Sequence, residues 1–354
     1  MNTVPGHSSA SGASGASGAS GASGASGASG ASGAPSATHD AIAVGESLLR
    51  MSCAVGESLE RAPRLAVHVG GTEGNVMGLL AQLGHRAALV TCLPDSGLGR
   101  KVAAEYRRVG IDTNAMIWRG EGRVPLYFVE SAAPPIPASV IYDRGHSCFA
   151  GLKVTEVDWD VVARSRLLHV TGLTASLHEG ARALLDQAIA VARTNQRQIS
   201  IDVNYRSQLA SPGELCDWLS PWLDTADVIS CASRDAVAVF GLSGTAAEIA
   251  AGLADRFRSP VVIVSDGPAG AVAYVKGAIL SAAAPSVDVV DRIGAGDALI
   301  AGFLHGYLGG DPELGLQLGV TAAALALSRH GDLLTTSLPE LAELAHGLGK
   351  DIIR

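Results

Sequence analysis

The chain has 354 residues, 47% of them hydrophobic and 17% charged, which is the composition of a globular protein with a large core. Its formal net charge of −8 argues against a surface for nucleic acid or for an anionic membrane. No apolar stretch reaches the length of a transmembrane helix, and the N-terminus lacks the features of a secretory signal, so a cytoplasmic location is expected. Five cysteines without a Cys-x-x-Cys spacing indicate free thiols in a reducing compartment.

Residues 11–34 are eight consecutive copies of Ser-Gly-Ala, without a charge or a large apolar side chain. Such a segment cannot offset its ordering entropy by burial, so residues 1–38 are predicted to form a disordered tail. Residues 39–350 are predicted to form the folded domain, although their number suits either one large α/β domain or two average ones.

The first part of this domain alternates between strands and helices. The predicted elements are strand 41–51, strand 65–71, helix 75–84, strand 86–93 and helix 99–110. Two alternating segments, 123–131 and 138–144, are predicted as antiparallel strands joined by the proline-rich residues 132–137. These paired strands indicate a small accessory sheet.

The second part repeats strand–helix units. The predicted elements are strand 167–171, helix 180–194, strand 198–203, helix 212–223, strand 228–230, helices 233–240 and 245–257, strands 261–265, 271–275 and 287–290, and helices 298–308 and 314–328. Repeated units with short apolar strands predict an α/β fold, in which a doubly wound, mainly parallel sheet is covered by helices on both faces.

Gly294, Ala295, Gly296 and Asp297 lie between the last predicted strand and a predicted helix. Glycine lets a ligand approach the backbone closely, and the N–H groups and dipole of a helix N-terminus favour an anion there. Asp297 would point at the same place and could take a proton from an attacking hydroxyl, so the motif indicates phosphoryl transfer to an alcohol. The alternative is a turn that lets the helix pack, with Asp297 as its cap.

Several segments resemble a known family. DRIGAGD (291–297) resembles the second signature of the ribokinase-like (PfkB) carbohydrate kinases, and VGGTEGNVMGLLAQLGH (69–85) resembles the first. IDVNYR (201–206) resembles the D-x-N-x-R stretch of many of these kinases, and SVIYDRGHS (139–147) resembles the lid segment of 2-keto-3-deoxygluconate kinases. The resemblance implies a ribokinase-like fold with a small β-sheet lid over the sugar. The lid would comprise segments near 48–69 and 123–147.

The resemblance also implies roles for individual residues. Asp297 would be the catalytic base, and Gly294, Ala295 and Gly296 would form the anion hole. The substrate would be bound by Gly70, Gly71, Asn75, Tyr127, Tyr142, Arg144 and Arg206. The two arginines suit a sugar acid, because a guanidinium can hold a carboxylate through two hydrogen bonds. In isolation, the same arginines would be interpreted as members of surface ion pairs, and Tyr127 as part of the lid packing.

The resemblance implies ATP and Mg²⁺ as cofactors. The phosphates would be contacted by Ser265, Gly267, Gly270, Gly294 and Gly296. Mg²⁺ would offset the triphosphate charge. Asp235 is the candidate metal ligand where the family often has glutamate, and Ala232 stands where the family often has asparagine. Lids in this family often pair between subunits, so a homodimer through the lid is expected.

Three other functions fit part of the pattern. A kinase of a neutral ketose such as fructose or psicose would share the motifs but would not need the two arginines. A non-catalytic relative that binds a sugar or a nucleotide would not need Asp297. A dinucleotide-binding oxidoreductase would need glycine where VGGTEGN has Val69. The main hypothesis is therefore ATP-dependent phosphorylation of a sugar acid, foremost 2-keto-3-deoxygluconate.

Overall fold

The computed structural model describes residues 37–130 and 138–347. The predicted tail up to residue 36, the proline-rich connection at 132–137 and the end of the predicted domain at 348–350 lie outside the described residues. The strands are β1 His39–Val44, β2 Leu48–Ser52, β3 Ala66–Gly70, β4 Ala87–Val90, β5 Cys92–Pro94, β6 Ile117–Arg119, β7 Leu126–Glu130, β8 Ser139–Asp143, β9 Ser165–Thr171, β10 Gln198–Asp202, β11 Val228–Ala232, β12 Val261–Ser265, β13 Ala271–Val275 and β14 Ala278–Ala282. The α-helices are α1 Thr72–Gln82, α2 Gly97–Arg108, α3 Asp160–Ala163, α4 Gly172–Ala175, α5 Glu179–Thr194, α6 Pro212–Leu223, α7 Ser233–Phe240, α8 Ala246–Phe257, α9 Ala295–Gly309, α10 Pro312–Leu327 and α11 Leu338–Ala345.

Eight strands form the central sheet in the order β14-β13-β12-β11-β10-β9-β1-β4. Neighbours from β12 to β4 are parallel, whereas β13 and β14 are antiparallel additions at one edge. Successive side chains of a strand point to opposite faces. Ala41 and Ala43 accordingly join the core formed with α1, α9 and α10, and Ile42 and Val44 join the core formed with α5 to α8. The predicted doubly wound, mainly parallel sheet is confirmed.

A second sheet has the order β3-β2-β7-β8, and we call it the lid. Its central strands β2 and β7 are parallel, and each outer strand pairs antiparallel with its neighbour. The lid has a small apolar core of Leu48, Tyr127 and Val129, against which Ile293 packs. Because Ile293 belongs to the turn before α9, the lid contacts the segment in which the sequence predicted the anion hole.

One predicted strand, 41–51, is two strands in the structure. Residues 45–47 interrupt the strand, so that β1 lies in the central sheet and β2 lies in the lid. A Cβ on Gly45 would lie 2.2 Å from the carboxylate of Glu73, so the break is also where a buried acid approaches the backbone. Apolar residues lie on both sides of the break, at 41–44 and at Leu48 and Leu49, and for this reason the segment was interpreted as one strand.

The predicted strand at 287–290 is wrong. These residues have no strand structure, and Val289 and Val290 are more than two-fifths exposed, at 44% and 42%. The partner of β13 is instead β14, which follows a turn at Lys276 and Gly277 with φ of 48° and 98°. Such a left-handed pair of residues is typical of a tight hairpin turn. In the part of the chain that the structure describes, no helix combines the length and the hydropathy needed to span a membrane.

Candidate active site

Helix α9 begins at Ala295, three residues earlier than predicted, so Asp297 lies in its first turn. The residue before the helix is Gly294, whose φ of 85° is left-handed. No side chain caps this end of α9. The N–H groups of a helix's first turn have no partner within the helix. The segment 294–296 therefore presents backbone donors and the positive end of the helix dipole beside the Asp297 carboxylate.

Asp297 is 8% exposed and its carboxylate is held by two residues of α1. The Thr72 hydroxyl donates to Oδ1 at 2.5 Å, and the Asn75 amide donates to Oδ2 at 2.7 Å. Burial raises the pKa of Asp297 above its ordinary value, while the two hydrogen bonds and the charge of Arg206 oppose that rise. The result is an oriented carboxylate that takes up a proton more readily than an exposed aspartate.

Two further acids lie at the carboxyl ends of neighbouring parallel strands. Asp202 ends β10, and its Oδ2 accepts a hydrogen bond of 2.7 Å from Asn204, which also donates to Thr72 at 3.1 Å. Burial and then the charge of Asp297 raise the pKa of Asp202 to about 7. Asp235, in the first turn of α7, is 6% exposed, and burial raises its pKa as well. This edge of a parallel sheet is where ligands bind in open α/β folds.

The predicted substrate residues Gly70 and Gly71 join β3 to α1 and pack closely against their surroundings. A Cβ on Gly70 would lie 2.2 Å from Oδ2 of Asp332, and one on Gly71 would lie 2.6 Å from the carbonyl oxygen of Glu46. Gly71 has a φ of 137°. Gly71 therefore requires glycine because of its backbone conformation and the backbone beside it, whereas a side chain at Gly70 would displace the Asp332 carboxylate.

The lid brings Tyr127, Tyr142 and Arg144 together. Tyr127 and Tyr142 face each other across β7 and β8 with ring centroids 6.1 Å apart, and the Arg144 guanidinium lies 4.8 Å from the centre of the Tyr142 ring. Tyr127 is 5% exposed and its hydroxyl donates to Asp332. This tyrosine therefore has a structural partner within the chain.

The guanidinium of Arg144 lacks hydrogen-bond partners for two of its nitrogens among the described residues. Its Nη1 lies 3.7 Å from Oε2 of the buried Glu46, and neither Nη1 nor Nε makes a hydrogen bond to the described part of the chain. The other oxygen of Glu46 accepts a hydrogen bond of 2.6 Å from Ser147. A guanidinium with two buried nitrogens that lack hydrogen bonds is suited to binding an anionic group. Arg206, the second predicted arginine, donates to the carbonyl oxygen of Tyr205 at 3.1 Å and is close enough to Asp297 to lower its pKa.

The predicted nucleotide residues Ser265, Gly267 and Gly270 form the end of β12 and the turn after it. A Cβ on Gly267 would meet no atom within 4 Å, whereas one on Gly270 would lie 2.1 Å from the carbonyl oxygen of Ala282. The lack of a side chain at Gly270 thus lets the end of β14 approach the turn, and the space beside Gly267 is open. Asp266 accepts a hydrogen bond of 2.7 Å from Ser233, the residue after Ala232. In the described residues, this turn makes no hydrogen bond to Asp297 or its partners.

Several residues near the site were not named as candidates from the sequence. Thr72 and Asn204 lie within motifs that were recognised, but only their neighbours were assigned roles. The side chains of Glu46, Arg50, Glu73, Asp291 and Asp332 are buried and ionisable. A buried charge is expected to have a partner or a function, but burial depends on contacts between distant parts of the chain. A sequence pattern alone therefore does not indicate them.

Comparison with known proteins identifies the family. The profile of the pfkB family of carbohydrate kinases matches residues 38–340. The chain is 33% identical over 311 residues to a 2-dehydro-3-deoxygalactonokinase of Haloferax volcanii, covering 88% of this chain and 98% of that protein. The 2-dehydro-3-deoxygluconokinase of Thermotoga maritima has a TM-score of 0.82 at 28% identity, covering 87% of this chain and 99% of that one.

A protein of Escherichia coli whose structure contains ATP and Mg²⁺ shares the fold, with a TM-score of 0.80 at 20% identity, covering 87% of this chain and 99% of that one. The fold class expected from the resemblance is confirmed by these neighbours, and so is the resemblance itself. The chain, with its central sheet, its lid and the Gly294–Asp297 segment at the start of α9, belongs to the pfkB family of carbohydrate kinases.

Proposed function

We propose that this kinase transfers the terminal phosphoryl group of ATP to a hydroxyl of a sugar acid, foremost 2-keto-3-deoxygluconate. The observation that carries the proposal is the position of Asp297, a buried and oriented carboxylate in the first turn of α9 beside backbone donors without helical partners. Two relatives named above act, by name, on 2-keto-3-deoxy sugar acids.

Asp297 is proposed as the general base. The hydrogen bonds from Thr72 and Asn75 occupy one lone pair on each oxygen and fix the carboxylate, which leaves lone pairs for the proton of a sugar hydroxyl. Burial raises the pKa of Asp297, which moves the base towards neutral pH and strengthens it. A positioned base of this kind contributes about 10²–10⁴-fold to a rate.

The backbone of Gly294, Ala295 and Gly296 is proposed as the anion hole. Charge builds on the transferring phosphoryl oxygens, and fixed N–H donors at a helix N-terminus stabilise that charge without reorganising. A Cβ on Gly296 would meet no atom within 4 Å, so the backbone is open to a ligand at this residue.

Arg144 and Arg206 are proposed to select the acid. Arg144 is the stronger candidate, because its Nε and Nη1 are buried without hydrogen-bond partners among the described residues. A substrate carboxylate would accept hydrogen bonds from these donors. A neutral sugar would supply no carboxylate, and Glu46 would remain the only anion described beside the guanidinium. Tyr142, which packs on Arg144, would line the same pocket.

The donor set fits ATP with Mg²⁺. Within the described ranges, no three His, Cys, Asp or Glu groups have the spacing of a metal centre. Mg²⁺ is commonly held by one or two protein carboxylates together with phosphate oxygens, and the buried Asp235 and Asp202 supply hard oxygen ligands of this kind. When bound, Mg²⁺ would neutralise charge on the triphosphate. The open turn at Ser265 and Gly267 would take the nucleotide phosphates, as would the start of α9.

The test is ADP release measured with Mg²⁺ and ATP across a panel of acceptors. The panel contains 2-keto-3-deoxygluconate, 2-keto-3-deoxygalactonate, gluconate, fructose, psicose and ribose. Turnover confined to the keto acids would support the proposal. Turnover only on fructose or psicose would keep the kinase mechanism and reject the acid. Arg144→Met should reduce turnover of the keto acids far more than that of any neutral sugar.

The galactonate epimer is a second candidate substrate. The relative from Haloferax volcanii that is 33% identical to this chain is named for it, and the neighbour that is 28% identical is named for the gluconate form. The ratio of kcat/KM for the two epimers decides between them.

A further inference from the structure

Arg50 is the centre of a buried ion cluster that begins in the lid. It lies on β2, is 2% exposed and is among the largest fully buried side chains of the described chain. Its Nη1 lies 2.6 Å from Oδ2 of Asp291 and 3.1 Å from Oδ1 of Asp332, and its Nε donates to Ser52 at 2.7 Å. Burying a guanidinium is costly unless carboxylates and hydrogen bonds compensate for its lost hydration, and here two carboxylates do so.

Asp291 ties the guanidinium to the segment before α9. Its Oδ1 accepts the N–H of Ile293 at 3.1 Å, and its Oδ2 accepts the N–H of Gly331 at 3.3 Å. Ile293 is the residue before Gly294 and packs on the core of the lid. Asp291 therefore fixes the path by which the chain enters the turn.

The backbone of Asp332 contacts the same turn. A Cβ on Gly294 would lie 2.2 Å from the carbonyl oxygen of Asp332, so the two backbones are in direct contact. The Asp332 carboxylate also accepts the Tyr127 hydroxyl from lid strand β7 and lies against Gly70. One acid thus contacts the lid, the glycine pair before α1 and the turn before α9.

We propose that Arg50 is a positioning residue for phosphoryl transfer, and that its guanidinium holds the lid and the Gly294–Gly296 turn in one fixed arrangement. This inference rests on the proposed role of that turn as the anion hole. Arg50 itself need not contact the substrate, because Asp291, Asp332 and Ser52 engage its donors.

Removing the guanidinium leaves two buried carboxylates facing each other. Like charges at this distance in a medium of low dielectric constant either separate or take up a proton. Both responses change the support of Gly294, because Asp291 accepts the N–H of Ile293 and the backbone of Asp332 contacts Gly294. A shift of about 1 Å in a catalytic group costs about 10²-fold in rate.

The test compares two variants. Arg50→Met keeps most of the side-chain length but loses the charge, and Arg50→Lys keeps the charge but loses the planar guanidinium group. The matched control is Arg123→Met, since Arg123 precedes the lid strand β7 and pairs with Asp143 at the surface, with side chains 36% and 48% exposed. We expect Arg50→Met to lower kcat about 10²-fold while the KM of the sugar stays within about threefold. Arg50→Lys should recover part of kcat, and Arg123→Met should retain wild-type kcat.

Chemical rescue separates positioning from folding. In Arg50→Ala, added guanidinium ion at concentrations far below those that unfold proteins should restore part of kcat, and the same concentration of NaCl should not. Near-normal kcat in Arg50→Met would overturn the proposal, and so would a folded Arg50→Ala that guanidinium does not activate. If the Arg50 variants do not fold, Asp332→Asn replaces them, and normal kcat in that variant would also overturn it. Wild-type turnover on any sugar is sufficient for these comparisons, so failure of the proposed sugar-acid substrate would be seen separately.

Discussion

Glu73→Gln should make the protein more stable as the pH rises, relative to the wild type. Glu73 lies on α1 next to Thr72 and is 1% exposed. Its Oε1 accepts the hydroxyls of Thr171 and Thr174 at 2.7 and 2.5 Å, while Oε2 has no hydrogen-bond partner among the described residues. Burial raises the pKa of Glu73 from 4.5 to about 7. The folded protein therefore binds this proton more tightly than the unfolded chain does.

The sign and size follow from proton linkage. Below pH 4.5 the carboxyl is protonated in both states, and its ionisation costs the folded state nothing. As the pH rises from 4.5 to about 7, the unfolded chain ionises first, so the free energy of unfolding falls. The rise in the pKa of Glu73 from 4.5 to about 7, at about 1.36 kcal/mol for each pH unit, sets the full loss of unfolding free energy at about 3 kcal/mol. Glutamine does not titrate and escapes this loss.

The assay is urea unfolding followed by the fluorescence of the four tryptophans at about pH 5 and about pH 8. The buried amide of glutamine has its own cost, but that cost does not depend on pH. We therefore expect the difference in unfolding free energy between variant and wild type to rise by about 2–3 kcal/mol from pH 5 to pH 8.

Glu248→Gln is the control for this measurement. Glu248 is exposed at the start of α8, and the hydrogen bond from the Thr245 N–H lowers its pKa, so neither state titrates appreciably between the two pH values. Its difference from wild type should stay constant. A Glu73 variant whose difference is equally constant would refute the reasoning, because it would mean that the buried carboxyl titrates at its ordinary pKa.

Four other predictions concern the proposed active site. Asp297→Asn should lower kcat by about 10²–10⁴-fold while calorimetry still detects ATP binding, and near-normal turnover would remove Asp297 as the base. In the wild type, kcat/KM should fall as the pH drops through the raised pKa of Asp297, because the protonated carboxyl cannot accept the proton. Gly294→Ala should lower both Tm and kcat, because its Cβ would lie 2.2 Å from the carbonyl oxygen of Asp332 and its φ of 85° disfavours alanine. Gly296→Ala should leave Tm unchanged, because a Cβ there meets no atom within 4 Å. Arg206→Ala should raise the KM of the sugar acid far more than that of ATP in steady-state kinetics, and equal rises would reject its role.

The sequence predicted those parts of the site that depend on local chemistry. The Gly294–Asp297 segment was interpreted as a helix N-terminus because glycine and an acid have a clear meaning there. Asn75 was named from the first signature, and the structure places its amide on Asp297 although 222 residues separate them. Parallel strands and short connections explain why motifs so far apart in sequence meet at one edge of a sheet.

The parts that were missed depend on contacts across the chain. Arg50 is one of many arginines in the sequence, and only pairing with Asp291 and Asp332 makes it a buried ion. The break at Gly45 was hidden because buried residues continue on both sides of it. The strand predicted at 287–290 failed for the opposite reason, since β-branched residues there remain at the surface. In each case, burial was decided by a distant segment.

Burial of Asp297 and the acids around it affects both the folding stability of the protein and the reactivity of the site. Burial raises the pKa of Asp202 to about 7 and that of Asp235 and Asp297 above the ordinary range, and the charge of Asp297 adds to the shift of Asp202. Ionising each of these carboxyls costs more free energy in the folded protein than it would at an exposed position. The buried acids therefore reduce folding stability near neutral pH. A nearby cation favours the ionised forms and offsets that loss. Burial is what destabilises these carboxylates, and it also strengthens Asp297 as a base, while their negative charge attracts a cation. The buried acids therefore lie where the proposed chemistry uses them.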